Sequence, residues 1–289
     1  MTLGVKLQRD KLLSEVCTIG IGGPAAYYIE VHSIEKMQEA ILFCHEKKVR
    51  YLILGKGSNT VFDDRGFHGV VIHNMIDFFN EQAPGVFHVG AGYNFSLLGA
   101  QTARKGWSGL EFASGIPGTV GGAIFMNAGA NGMETCDSLT SVEFITEEGT
   151  LLHLNKKELL FSYRFSSFHQ MSGAIVGATF TLTPSETART QQLEIINYRK
   201  LSQPYGKKSA GCMFRNPHNN HAGALIEQCG LKGTKIGGVQ VSDIHANFII
   251  NIGGGKCSDV VELLEFVKER VREKTGIELE SEVRFISYE

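Results

Sequence analysis

Two glycine-rich segments are the residues of this chain whose types and spacing first suggest chemistry. In Gly55-Lys56-Gly57-Ser58-Asn59, two glycines let successive backbone N–H groups turn inward as an anion nest, and Ser58 and Asn59 add side-chain donors. In Ser114-Gly115-Ile116-Pro117-Gly118-Thr119-Val120-Gly121-Gly122-Ala123, the glycines let a backbone lie against a flat or charged ligand without Cβ interference. Pro117 stiffens that turn, and the glycine pair precedes a helix start. Each segment is also what an ordinary tight turn looks like; two of them in one chain favour a phosphate-bearing ligand. Neither is a Walker-type phosphate loop, because no Gly-Lys-Ser/Thr follows at the needed spacing. Gly20-Ile21-Gly22-Gly23-Pro24-Ala25 matches G-x-G-x-x-A superficially. No strand precedes it, and the β-like Tyr27-Tyr28-Ile29-Glu30 follows where a helix is required, so a Rossmann nicotinamide site is rejected there. The 10 histidines show neither H-x-x-x-H nor H-E-x-x-H spacing, and no metal is expected.

The elements that must position these loops follow from periodicity. Ser33 reads as an N-cap, with Ile34, Met37, Ile41 and Cys44 at helical spacing up to Lys47 and Lys48. An apolar run over 51–54 is a buried strand leading straight into the first loop, and 69–73 is a second, β-branched strand. Strands are expected over 86–89 and 174–182, a helix over 97–103 ending at Gly106, and a hairpin about Glu147-Glu148-Gly149. Pro184 ends a strand and Ser185 caps a polar helix running to Ser202, which makes 183–185 the best boundary. Beyond it come a strand around 212–214, a short helix over 222–229 and a strand over 247–251. Ser258 caps an amphipathic helix that buries Val260, Leu264, Val267 and Val271 and stops at Gly276; a last strand spans 282–286. The class is α+β, in three segments: 1–75, 76–184 and 185–289.

Composition removes several alternatives. With 289 residues, 43% hydrophobic and 20% charged, the chain has enough apolar material for real cores and is neither disordered nor fibrous. A formal net charge of −2 shows no surplus of cations for nucleic acid, although a few local cations would still hold an anionic nucleotide. Met1 to Asp10 carries charges and no apolar core of the signal-peptide kind, and no apolar stretch is long enough to span a membrane. The 6 cysteines, Cys17, Cys44, Cys136, Cys212, Cys229 and Cys257, include no C-x-x-C pair and read as free thiols in a reducing cytoplasm.

From Thr18 to Ile286 the chain resembles the UDP-N-acetylenolpyruvoylglucosamine reductase family. The landmarks are Thr18 to Ala25, Gly55 to Asn59, Gly109 to Ala123, Met126-Asn127-Ala128-Gly129-Ala130, Tyr163-Arg164, Ser209 to Pro217, His245-Ala246-Asn247-Phe248 and Glu282-Val283-Arg284. Any one is weak; all of them in this order form a specific signature, and the length suits the compact subtype. The resemblance implies non-covalent FAD on the fold of the vanillyl-alcohol-oxidase-like (PCMH-type) flavoproteins, gripped by two subdomains, with a C-terminal substrate domain. It implies NADPH as electron donor, an enolpyruvyl nucleotide sugar as substrate, a place in peptidoglycan precursor synthesis, and no obligate protein partner.

The site residues implied are as follows. Leu54, Gly55, Lys56, Gly57, Ser58 and Asn59, with Ser114, Gly115, Pro117, Gly118, Thr119, Gly121, Gly122 and Ala123, would line FAD. Cys212 would be the proton donor, in a slot where many relatives carry serine and some cysteine. A thiol, with an ordinary pKa of about 8.5, stays protonated near neutrality yet releases its proton far more readily than an alcohol. Arg164 and Glu282 would stabilise the enolate-like intermediate. Tyr163, Lys207, Lys208, Arg215, Asn216, Asn247 and Arg284 would contact the nucleotide sugar. Another FAD oxidoreductase or oxidase on the same scaffold would share the loops without needing the Cys212, Arg164 and Glu282 set; a non-catalytic nucleotide-binding module would not be a flavoprotein at all.

Overall fold

The computed structural model describes residues 7–289. Of the expectation for Met1 to Asp10, the first six residues lie outside the described residues. The chain divides into two compact units. The first holds Tyr27–Lys56 and Gly69–Arg199, with the described N-terminal residues up to Arg9; the second holds Asp10–Ala26, Gly57–His68 and Lys200–Glu289. The two units are interleaved in sequence. Strand pairing over long sequence separation sets it, and that leaves no local period to read.

The first unit is organised around a five-stranded sheet in the order Leu151–Asn155, Leu139–Thr146, Gly173–Thr181, Val86–Gly90, Phe79–Ala83, antiparallel throughout. Its central strands feed two cores. Phe144, Ile175 and Phe180 pack with Phe95, Leu98 and Phe112 on one side. Ile145, Ala174 and Val176 pack with Met37, Ile41, Val70 and Ile72 on the other. Alternation along a strand explains how neighbouring residues serve different cores. The helix Ile34–Lys47 forms as expected: the Ser33 hydroxyl accepts from the Lys36 N–H, and Lys48 closes the helix in the left-handed region at φ 54. Tyr51–Leu54 runs parallel to Phe67–Asn74, with Leu54 opposite His73, and delivers the chain into the first glycine loop.

The second unit carries a four-stranded antiparallel sheet, Ser209–Cys212, Phe248–Asn251, Val239–Val241, Lys235–Ile236. The helix Cys257–Thr275 lies on it and buries Val260, Leu263, Leu264, Val267 and Val271, a stripe worth roughly 1.5–3 kcal/mol per side chain. Its start differs from the sequence reading. Ser258 is inside the helix, and its first two amides are met from far away: Asp64 accepts from Cys257 N–H at 2.7 Å and Ser258 N–H at 3.2 Å, while the neighbouring Asp259 accepts from Lys256 N–H at 3.0 Å. Asp64→Ala therefore strips a charged cap from a helix N-terminus. Its expected cost is about 1–2 kcal/mol, read as a lower urea midpoint at unchanged slope. The helix Ala188–Ser202 likewise begins later than expected, because Ser185 Oγ accepts from Thr187 N–H in a turn before it. Arg284–Ile286 pairs in parallel with Thr60–Phe62 and completes the unit.

Candidate functional site

In the first unit, the two glycine loops meet. A Cβ on Gly55 would stand 2.5 Å from Thr119 Oγ1, so only a glycine fits where the first loop touches the second. Thr119 caps the short helix Val120–Phe125, accepting from Gly122 N–H at 3.3 Å. The second loop spends several of its amides on the protein itself, mostly on residues 91–96. Gly115 N–H donates to Ser96 Oγ, Val120 N–H to the Tyr93 carbonyl, Gly121 N–H to the Ala91 carbonyl and Ala123 N–H to the Thr119 carbonyl. Its contribution is a thin backbone surface: a Cβ on Gly122 would meet only Thr119 Oγ1, at 3.5 Å. Beside it, Ser114 Oγ and Glu111 Oε1 are buried without a hydrogen-bond partner among the described residues. A side-chain-free surface flanked by unsatisfied polar atoms fits a flat, polar cofactor. Pro117 lies exposed at the turn, next to Gly118 at φ 157.

Arg164 also belongs to this unit. It is the second residue of the turn between Phe161–Ser162 and Phe165–Ser166, at φ 55, a conformation that costs a non-glycine residue about 1 kcal/mol or more. The turn is pinned from below: Asn127 Nδ2 donates to the Ser162 carbonyl and Ser166 Oγ to the Phe125 carbonyl. Arg164 Nη2 donates to the Gly129 carbonyl at 3.1 Å, and the guanidinium lies 4.8 Å from the Tyr163 ring centroid. The turn thus holds a strained backbone together with a guanidinium set against the Gly129 carbonyl and the Tyr163 ring.

In the second unit, backbone register collects the other candidates. Ser209 pairs with Ile250 but Cys212 with Phe248, so the strand carries a bulge, and Gly211 sits there at φ 78. Such a bulge turns the next side chain out of the regular alternation. Immediately after Cys212, Met213 accepts from Glu282 N–H at 2.8 Å. Asn59 closes the group: its carbonyl accepts from Arg284 N–H and its Nδ2 donates to the Glu282 carbonyl. Residues 57–59, 211–213 and 282–284 thus lie side by side, and Cys212 and Glu282 are both half-buried. Thr18, which residue type alone does not single out, ties this end together: its hydroxyl donates to the Ser209 carbonyl at 2.6 Å and its N–H to the Gly57 carbonyl.

The expected substrate contacts are distributed unevenly. Lys208 faces a cavity of about 340 Å³ with Gly20, Asn251, Ile252, Gly253, Gly254 and Gly255. Lys207 is exposed in a turn, its amide donating to the Pro204 carbonyl, and Arg215 is half-buried with its amide on the Glu280 carbonyl. Asn216 Oδ1 accepts from Ala222 N–H at the start of the helix Ala222–Gln228. Asn247 has a structural part as well. It is 3% exposed and spends both ends of its amide on Phe214: Oδ1 accepts from the N–H at 2.9 Å, and Nδ2 donates to the carbonyl at 2.8 Å. It clamps the Phe214 peptide, two residues beyond Cys212.

Both loops lie in a stretch that has known relatives. Residues 25–155 match the model of an FAD binding domain, and an α+β chain built on that domain is an FAD-dependent oxidoreductase. Residues 203–286 match the C-terminal domain of UDP-N-acetylenolpyruvoylglucosamine reductase. Curated relatives of that name include one from Protochlamydia amoebophila, 59% identical over 100% of this chain and 97% of the relative, and one from Chlamydia muridarum, 47% identical over 98% and 95%. The crystal structure of UDP-N-acetylenolpyruvylglucosamine reductase from Thermus caldophilus superposes with a TM-score of 0.83 at 35% identity, covering 97% of this chain and 99% of that one. The chain belongs to the UDP-N-acetylenolpyruvoylglucosamine reductase family.

Proposed function

We propose that this chain reduces UDP-N-acetylglucosamine enolpyruvate to UDP-N-acetylmuramate with electrons from NADPH, in peptidoglycan precursor synthesis in the cytoplasm. The observation that carries the reading is the register of the second unit, which sets Cys212 and Glu282 beside residues 57–59. Leu54 to Asn59 and Ser114 to Ala123 would hold FAD without a covalent bond. When bound, FAD supplies the hydride taken from NADPH and given to the terminal alkene carbon. Cys212 Sγ holds the proton for the carbon next to the substrate carboxylate, the only other atom that must gain one. Removing the alkene leaves enolate-like charge on that carboxylate, and a fixed guanidinium such as Arg164 lowers the cost of that charge. Glu282 would serve the same charge by hydrogen bonding. Lys208, at its cavity, with Lys207, Arg215, Asn216, Tyr163 and Arg284, would serve the nucleotide sugar, because a diphosphate asks for cations and amide donors.

Among the described residues no helix is long and apolar enough to cross a membrane. The six cysteines carry no disulfide, which supports a reducing compartment. The test is anaerobic. NADPH should bleach the flavin absorbance, and adding the enolpyruvyl nucleotide should restore it within the time of a turnover. Absence of recovery, with rapid recovery on admitting oxygen, would move the chain to an oxidase on the same scaffold.

A further inference from the structure

We propose that Thr18 is a positioning residue for the Cys212 thiol, its hydroxyl setting how far the Cys212 strand stands from residues 57–59 of the first glycine loop. The inference rests on the reading of Cys212 as proton donor and of residues 57–59 as part of the FAD site. A closed circuit of hydrogen bonds runs through the Cys212 strand, and all its members belong to the second unit. The Gly57 carbonyl accepts from the Thr18 N–H at 3.1 Å. The Thr18 hydroxyl donates to the Ser209 carbonyl at 2.6 Å. The strand then passes through Cys212 to Met213, whose carbonyl accepts from the Glu282 N–H at 2.8 Å. The Glu282 carbonyl accepts from Asn59 Nδ2 at 3.2 Å, and the loop leads back to Gly57. Side chains make two of these four bonds, those of Thr18 and Asn59. Asn59 is part of the loop itself, so Thr18 is the side chain that ties loop to strand from outside both.

The bulge is why this tie matters. Ser209 pairs with Ile250 and Cys212 with Phe248, with Gly211 between them at φ 78. A bulged residue is left out of the ladder, so the neighbouring strand alone fixes its place poorly. The far end of the bulge is held by the Met213 N–H on the Asn247 carbonyl at 2.8 Å. The near end is Ser209, where Thr18 acts. A threonine hydroxyl has one proton to give. The Ser209 carbonyl is the near acceptor; the Gly57 carbonyl is a long second one at 3.4 Å and is already served by the Thr18 N–H.

The segment that carries Thr18 is itself fixed. Gly57 lies at φ 61, and a Cβ there would stand 2.7 Å from Cys17 Cα, so the segment rests directly on the loop. Asn251 Nδ2 donates to the Ile19 and Gly20 carbonyls at 3.1 and 3.3 Å. A valine at position 18 keeps the shape, the N–H bond to Gly57 and the hold of Asn251. It loses the bond to Ser209, and the near end of the bulge is released toward or away from the loop.

Holoenzyme of wild type, Thr18→Val, Thr18→Ser, Cys212→Ala and the double variant Thr18→Val/Cys212→Ala would be reduced anaerobically with NADPH. Each would then be mixed with saturating enolpyruvyl nucleotide while flavin absorbance is followed. Thr18→Val should keep its FAD and its rate of reduction by NADPH. Its reoxidation should slow about tenfold, less than the ~10²-fold that a full ångström of misplacement can cost. Thr18→Ser restores the donor and should recover most of that loss. The double variant should reoxidise no more slowly than Cys212→Ala, because a residue that acts through the thiol has nothing left to act on. Wild-type reoxidation in Thr18→Val, equal slowing of both half-reactions, or a further slowing of about tenfold in the double variant each refutes the positioning role. Wild type that is not reoxidised, or Cys212→Ala as fast as wild type, removes the reaction or the proton donor instead, and this inference falls with it. Should Thr18→Val not give folded holoenzyme, Thr18→Ala takes its place under the same criteria, and loss of FAD from both refutes a role confined to positioning.

Discussion

Cys212→Ala is expected to be reduced by NADPH at the wild-type rate and then to stall, with recovery of flavin absorbance by the enolpyruvyl nucleotide slowed by about 10²–10⁴-fold. That is the range a positioned general acid contributes. The separation of the two half-reactions is what makes the prediction sharp. Cys212 is delivered by a bulge at Gly211 on a strand of the second unit, and taking a hydride from NADPH needs no acid there. Cys212→Ser keeps an O–H at the same place and should fall between wild type and alanine, because an alcohol gives up its proton less readily than a thiol. Equal recovery in wild type and Cys212→Ala would keep the reaction and remove Cys212 from it. A solvent isotope effect on the recovery phase, present in wild type and altered in Cys212→Ser, would tie the slow proton to this side chain.

The second large effect concerns stability. Asn247→Ala should lower the unfolding free energy by about 2–5 kcal/mol, since it strands both the N–H and the carbonyl of Phe214 in a place without water, at about 1–3 kcal/mol for each group. Phe214 is 2% exposed, and the two bonds it loses are 2.9 and 2.8 Å long. Urea unfolding of the variant reads the effect directly. A variant with wild-type stability and a raised KM for the nucleotide sugar would instead return Asn247 to the ligand contacts that its place in the His245-Ala246-Asn247-Phe248 motif suggests. The Met213 N–H donates to the Asn247 carbonyl, so loosening this residue also loosens the strand just beyond Cys212, and loss of activity alone would not separate the two roles.

What the residues reveal in advance depends on how far apart the partners lie in sequence. Helix 34–47 is legible because its cap, its apolar spacing and its stop are all within one stretch. The apolar face of the helix Cys257–Thr275 is legible for the same reason, whereas its cap is not: Asp64 comes from 193 positions earlier, and no local pattern announces it. The glycine loops are visible as loops, but composition does not say that Gly55 would abut Thr119 or that the second loop's amides would be taken up by residues 91–96. The Ser-Ala-Gly-Cys run shows a glycine before a thiol, yet the bulge exists only in relation to Phe248–Asn251. The two bonds of Asn247 to Phe214 are not legible either, because they depend on a strand pairing 33 positions away.

The strand Thr60–Phe62 finds its parallel neighbour in Arg284–Ile286, and the nearby bond from Asn59 to Glu282 joins residues 223 positions apart. During synthesis at about 5–20 residues per second, the early strand waits roughly 10–45 s for its partner to emerge. Through that interval its edge is open to other chains, and this pair cannot close before residues 284–286 leave the ribosome. Loss of residues 284–286 would therefore leave that early edge open for good, and quality control in the cell would meet such a product as a chain still unfinished.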